Sequence, residues 1–143
     1  MPMHKHTHNE IETLRGAGLK VTDARVAVLS QFIKKPIPLS ALEIQQALAP
    51  SGSDVVTVYR TLSSFEEAGI LRKVDLRREA VYYELASHHH HHIVCTDCGL
   101  VEDIEDCDVE ILSKKVVSGS KKFSAIKDHA LEFFGLCRSC VKR

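Results

Sequence analysis

Residues 53–85 read SDVVTVYRTLSSFEEAGILRKVDLRREAVYYEL, and a change of hydrophobic period inside this stretch decides the fold. Val55, Val58, Leu62 and Phe65 recur at helical spacing. Ser53 or Asp54 can cap the start, and Gly69 supplies the stop. Beyond Gly69 the period drops to two. Ile70, Arg72 and Val74 lead into a polar turn at Asp75–Arg78, and Val81, Tyr83 and Leu85 alternate after it, which predicts a β-hairpin. The face left outward on the helix carries Thr57, Arg60, Thr61 and Ser64, with Tyr59 flanking it. Small hydroxyls, one guanidinium and one phenol suit a major groove, where Arg bonds guanine edges or phosphates and apolar groups meet the thymine methyl. An ordinary amphipathic helix with a solvated face would look the same.

Working outward, the chain before residue 53 reads as three further helices. Asn9 is the expected cap of a segment carrying Ile11 and Leu14, closed by Gly16 and Gly18. Thr22 opens a second, with Val26, Leu29 and Ile33 as its apolar stripe, and Pro36 and Pro38 forbid its continuation. Ser40 followed by Glu43 is a capping box that starts a third, running to about Leu48. Helices followed by a hairpin is the order of a winged helix-turn-helix. Lys20 and Arg25 bracket the start of the second helix and are candidates for phosphate or minor-groove contact, while Lys73, Arg77 and Arg78 lie on the hairpin.

After the hairpin the composition shifts to histidines, paired cysteines and an acidic stretch from Glu102 to Glu110. A helix is expected near 108–118, and a strand near 124–136 leads into the last cysteines. The expected division is 1–86 as a winged-helix DNA-binding domain and 87–143 as a small metal-binding α/β domain, an α+β protein as a whole. The 19 Lys and Arg balance the 19 Asp and Glu, so any nucleic-acid contact must come from local placement of charge. No run reaches the roughly 18 apolar residues of a membrane helix, and a soluble, unexported, cytoplasmic chain with no membrane partner is expected.

Five cysteines do not suit a fully paired disulfide framework. Cys107 stands alone, a buried or free thiol. The other four form two C-x-x-C pairs, Cys95/Cys98 and Cys137/Cys140. A redox dithiol is one reading; structural zinc is the better one, because two such turns complete a tetrahedral thiolate shell. The run His88–His92 is internal and continues straight into Ile93-Val94-Cys95, unlike a terminal tag. On a strand its side chains alternate, so His88, His90 and His92 point one way and His89 and His91 the other, offering two separate ion sites. Glu84, Asp103, Glu110 and His129 are nearby carboxylate and imidazole candidates, a donor set that suits harder divalent ions. His4, His6 and His8 could also bind metal, although a solvated tail explains them equally.

The strings TVYRTLSSFEEAGIL at 57–71, YELASHHHHHIVCTDCG at 83–99 and CRSC at 137–140, together with GLKVTDAR at 18–25, closely resemble the ferric uptake regulator family over nearly the whole chain. That resemblance implies a winged-helix domain, a hinge and a dimerisation domain, acting as a homodimer on palindromic double-stranded DNA operators. Residue by residue, it implies structural Zn2+ at Cys95, Cys98, Cys137 and Cys140. It also implies a dimerisation-domain site at His89, His91, Glu110 and His129, and a regulatory hinge site for Fe2+, Mn2+ or Zn2+ at Glu84, His90, His92 and Asp103. Tyr59 and Arg60 match recognition-helix positions. One departure stands out. Iron and peroxide sensors of the family place a further hinge His just before the third helix, where this chain reads KKPIPLSALE, and no His lies between His8 and His88.

The function expected is therefore a metal-dependent transcriptional repressor, not an enzyme, sensing iron or manganese at the hinge. Zinc-uptake and peroxide-sensing regulators are the readings beside it. A metal-storage protein would hold several loose ions and leave no operator footprint, and a zinc hydrolase would want an H-E-x-x-H motif that is absent.

Overall fold

The computed structural model describes residues 3–142 apart from Ser53, His88, His89, Asp106 and Cys107, and leaves the side chains of residues 3–8 and Ser51 undescribed. The chain divides into two compact units, Met1–His88 and His89–Arg143. No helix among the described residues is long and apolar enough to cross a membrane.

In the first unit the order is α1 (Met3–Gly16), α2 (Asp23–Lys34), β1 (Leu39–Ser40), α3 (Ala41–Leu48), a 3-10 turn (Ala49–Ser51), α4 (Val55–Glu67), β2 (Leu71–Val74) and β3 (Tyr82–Leu85). The caps expected for α2 and α3 form. Thr22 Oγ1 accepts the Arg25 backbone N–H, and Ser40 and Glu43 bond reciprocally as a capping box. Of the two candidates for α4, Asp54 is the cap, accepting Thr57 N–H at 2.7 Å, and Ser53 lies outside the described residues. Gly69 ends α4 at φ 75°, with Ile70 N–H reaching Phe65 O at 2.9 Å, the bond that closes a left-handed C-terminal turn. Leu14, Leu29, Phe32, Ile44, Val58, Leu62, Phe65 and Leu71 make one core, backed by Tyr83 from the sheet.

Several expectations are corrected. Asn9 is not a cap: α1 begins at Met3 and Asn9 lies in its interior. Val55 is not inward but 44% exposed, because it opens the first turn of α4 beyond the reach of the core. Thr61 is buried rather than outward, its hydroxyl satisfied by Thr57 O at 2.8 Å one turn back. The hairpin loop is longer than four residues. Asp75 Oδ1 accepts Arg77 N–H, Arg77 adopts φ 52°, Leu76 turns into the protein, and β3 starts only at Tyr82, leaving Val81 exposed. The two-residue β1, unforeseen, pairs with β3 to give a sheet ordered β1-β3-β2. Helices α2, α3 and α4, closed by this small sheet, form a winged helix, with β2 and β3 as the wing.

In the second unit, β4 (His91–Cys95), β5 (Val101–Ile104), α5 (Val109–Gly119), β6 (Glu132–Gly135) and α6 (Arg138–Val141) follow one another. The sheet order is β5-β4-β6, with β4 antiparallel to β5 and parallel to β6. A parallel pair needs a long crossover, and α5 supplies it. The strand expected over 124–136 is confined to residues 132–135, so His129 sits before it. The acidic stretch hides β5, which alternation could not reveal because Glu102 and Asp103 are both exposed.

Candidate metal centres and nucleic-acid face

The two C-x-x-C pairs meet. The sulfurs of Cys95, Cys98, Cys137 and Cys140 all lie within 4.8 Å of one another. Cys98 Sγ and Cys137 Sγ are 3.8 Å apart, and a tetrahedron with zinc–sulfur bonds of about 2.3 Å needs sulfurs about 3.8 Å apart. The first pair sits on the turn between β4 and β5, where Gly99 (φ 76°) donates to Cys95 O at 2.9 Å and Cys95 donates to Leu100 O at 2.8 Å. The second pair begins at the N-terminal boundary of α6, directly after β6, and the parallel pairing of β6 with β4 brings it beside the first. Cys137 donates its backbone N–H to Cys95 Sγ at 3.3 Å, and no disulfide joins any of the four.

The thiols are electrostatically prepared for a cation. Backbone N–H groups of Cys98, then of Cys137, hold the Cys95 thiol down at about 6, against 9.0 ordinarily. Cys137 is also lowered, first by the Cys140 backbone N–H. Cys140 is pushed up, first by the Cys137 sulfur beside it and then by burial. Clustered thiols in which some ionise readily and another resists are relieved by a divalent ion that stabilises all of them as thiolates. The donor set fits zinc.

The histidine tract splits as strand geometry requires. His89 lies outside the described residues. His91 and His92, the first residues of β4, are both buried and face opposite sides of the sheet. On one side His91 Nε2 comes to 3.3 Å from His129 Nε2, while its Nδ1 bonds Leu131 O at 2.9 Å. Glu110, by contrast, is exposed on α5 and pairs with Lys114 at 3.4 Å; among the described residues it is not gathered with His91 and His129. On the other side the His92 ring lies between two carboxylates. Its Nε2 is 3.7 Å from Asp103 Oδ1 and its Nδ1 is 3.0 Å from Glu132 Oε2. His90, half-buried, meets His92 edge-on with ring centroids 4.9 Å apart. In the first unit, Glu84 is buried on β3 and takes the guanidinium of Arg72 at 2.7 Å.

Glu132 was not foreseen. It comes to His92 only because β6 pairs in parallel with β4 at the register His92↔Glu132, forty residues apart in the chain, and no periodicity announces that. Cys107 lies outside the described residues, and His4, His6 and His8 fall within α1 with their side chains undescribed.

On α4, Tyr59 is 54% exposed, Arg60 is exposed and Thr57 is half-buried. Val56, Tyr59, Arg60 and Ser63 form one solvent face at helical spacing; of the outward set expected, Arg60 and the flanking Tyr59 lie on it, whereas Thr57 and Ser64 are half-buried and Thr61 is buried. Lys20 is exposed, and half-buried Arg25 donates from Nη1 to Lys20 O at 2.9 Å, fixing the loop ahead of α2. On the wing, Lys73 pairs with Glu66 at 3.2 Å and Arg78 stacks over Tyr82 at 5.4 Å.

The sequence profile of the ferric uptake regulator family matches residues 16–134. The chain is 37% identical to the ferric uptake regulation protein of Neisseria meningitidis serogroup A over 136 residues, covering 92% of this chain and 93% of that protein. It is similar to the solved structure of the ferric uptake regulator from Francisella tularensis with iron, at 36% identity and a TM-score of 0.70, covering 87% of this chain and 96% of the other. It is also similar to the Pseudomonas aeruginosa regulator with manganese, at 34% identity and a TM-score of 0.73, covering 90% and 98%.

Proposed function

The chain belongs to the ferric uptake regulator family, and on that premise we propose that it is a cytoplasmic homodimeric repressor that grips a palindromic operator when a divalent ion occupies its hinge. The observation that carries the reading is the division of labour on β4: His91 and His92, adjacent in sequence, serve different donor sets on the two sides of one sheet. A thiolate cluster of separate composition lies at the other end of the strand. A structural ion and a sensed ion can then coexist without competing for ligands.

Cys95, Cys98, Cys137 and Cys140 are the residues for structural zinc, which when bound supplies the charge that keeps four thiolates together. Glu84, His90, His92 and Asp103 are proposed as the regulatory site, and His89, His91, Glu110 and His129 as the dimerisation-domain site. Imidazole mixed with carboxylate suits Fe2+, Mn2+ or Zn2+, and relatives about one-third identical are known with iron and with manganese. An ion with greater affinity for the DNA-competent arrangement of the protein would be the switch.

Homodimerisation is supported by apolar surface that one copy leaves open. α5 buries only Val109, while Ile111, Leu112 and Val116 are exposed, as are Ile93 and Phe133, which pair with each other across β4 and β6. DNA binding is supported by the outward Tyr59 and Arg60 of α4, with Thr57, Lys20 and Arg25 as further contacts. The test is operator affinity of zinc-loaded protein with and without added Fe2+ or Mn2+. Tighter binding with the ion is expected; equal affinity discards the switch.

A further inference from the structure

We propose that Glu132 is the positioning residue of the regulatory site, holding His92 in the tautomer that presents the Nε2 lone pair toward Asp103. The inference rests on the assignment of His92 and Asp103 to that site. β4 is flanked by β6 on one side and β5 on the other, and His92 is in register with Glu132 on the first and Asp103 on the second. Register partners point to the same face of a sheet, so all three side chains share one surface. Glu132 Oε2 lies 3.0 Å from His92 Nδ1 and also accepts the His92 backbone N–H at 3.2 Å, so one carboxylate oxygen clamps both the ring and the main chain.

An ionised carboxylate only accepts hydrogen bonds, so the Nδ1 facing it carries the hydrogen. In the neutral ring that leaves the lone pair on Nε2, the atom 3.7 Å from Asp103 Oδ1. Two consequences follow for a histidine that must ligate. Its tautomer and rotation are set before any ion arrives, and the carboxylate raises the basicity of the opposite nitrogen. Glu132 Oε2 is already engaged by two N–H groups, which suits a supporting role rather than ligation. With a 0% exposed ring, His92 has no solvent route to correct a wrong orientation, so the clamp decides which nitrogen the site receives.

The experiment uses full-length protein loaded with structural zinc, with Co2+ as the added probe. Nitrogen-15 spectra of the His92 ring before Co2+ addition should show the Nδ1–H tautomer, and Glu132→Ala should convert it to Nε2–H or a mixture. Co2+ affinity should fall about 10- to 100-fold in Glu132→Ala. In Glu132→Gln, whose side-chain oxygen still accepts from Nδ1–H, most of that loss should be recovered. Zinc content and far-ultraviolet circular dichroism establish that each variant is folded, and the Gln variant keeps the test alive if the Ala variant is not. A parent ring in the Nε2–H form, or parent-like Co2+ affinity in Glu132→Ala, overturns the proposal. So does a Gln variant as damaged as Ala with an altered Co2+ visible spectrum, which would make Glu132 a direct ligand. A His92→Ala variant that binds Co2+ normally would instead sink the regulatory-site assignment, while the tautomer measurement still reports on Glu132 itself.

Discussion

Arg72 and Glu84 face each other across β2 and β3, and the guanidinium closes on Glu84 Oε1 from two nitrogens, Nε and Nη2, each at 2.7 Å. The carboxylate is nearly buried, 6% exposed, whereas the Arg side chain is 31% exposed. Removing the cation strands a charge that water reaches poorly. Arg72→Ala is therefore expected to cost about 1–3 kcal/mol of stability in urea unfolding. The double variant Arg72→Ala/Glu84→Ala should regain part of that loss. A single variant as stable as the parent would mean the pair contributes nothing.

The thiolate cluster predicts one tightly held zinc per chain. Cys98→Ser or Cys137→Ser should abolish zinc retention through gel filtration, and a strong chelator should lower the melting temperature of the parent by removing the ion that stabilises the second unit. The pH dependence has a definite sign. Cys95 is depressed from 9.0 to about 6, so in zinc-free protein its stabilising contribution is complete above 9 and is lost as pH falls through 6. Zinc-free protein should accordingly melt at lower temperature at pH 5.5 than at pH 8. Insensitivity across that range would contradict the amide-stabilised thiolate.

Asp54 titrates in the same direction at the start of α4. The Thr57 backbone N–H, and next its side chain, hold the carboxyl below its ordinary 3.8. The cap is thus fully effective above that value and is lost as pH falls through the lower, folded one. Asp54→Ala should reduce both the melting temperature and operator affinity at pH 7, because the first turn of α4 presents Val56 and leads into Tyr59 and Arg60. Asp54→Asn, which retains an acceptor without a titrating group, should restore the pH 7 values and flatten the acid dependence. Equal effects of Ala and Asn would show that the hydrogen bond is not what matters.

On the DNA face, Arg60→Ala should weaken operator binding about ten- to a hundredfold without changing metal content or melting. Lys20→Ala should act differently, reducing the salt slope of binding by about one with little effect on sequence preference. Gel-shift or anisotropy titrations at several salt concentrations separate the two. Parent-like binding by Arg60→Ala would remove α4 from the interface.

Phe133 and Leu112 test the apolar surface of the second unit. Both are exposed in a single copy, at 43% and 49%. Phe133→Lys or Leu112→Lys should shift the mass in analytical ultracentrifugation from dimer toward monomer and lower operator affinity with it. A dimer that persists through both substitutions places the interface elsewhere.

Chemistry carried by residues close in the chain could be read from the sequence, and chemistry assembled across the chain could not. The Ser40–Glu43 capping box, the Gly69 stop and the switch from helical to alternating period after it are all contained within a turn or two of backbone. Each was visible, and the winged order followed. Where tertiary contact overrides the local pattern, reading failed: Val55 fits the apolar stripe of α4 but projects beyond the core, while Thr61 is drawn in with its hydroxyl bonded to the turn below. Strand β1 is two residues long and exists only because β3 offers it a partner.

By itself the sequence determined the donor types, the pairing of cysteines in C-x-x-C turns and the alternation that sends neighbouring histidines to opposite faces, because bond geometry within a few residues dictates all three. Only the tertiary structure decided that Cys137 meets Cys98, that His129 meets His91, and that Glu132 rather than a residue nearby in sequence holds His92. Those contacts depend on the parallel register of β6 against β4. That register pairs residues forty apart in the chain, a long-range choice with no local spacing to betray it.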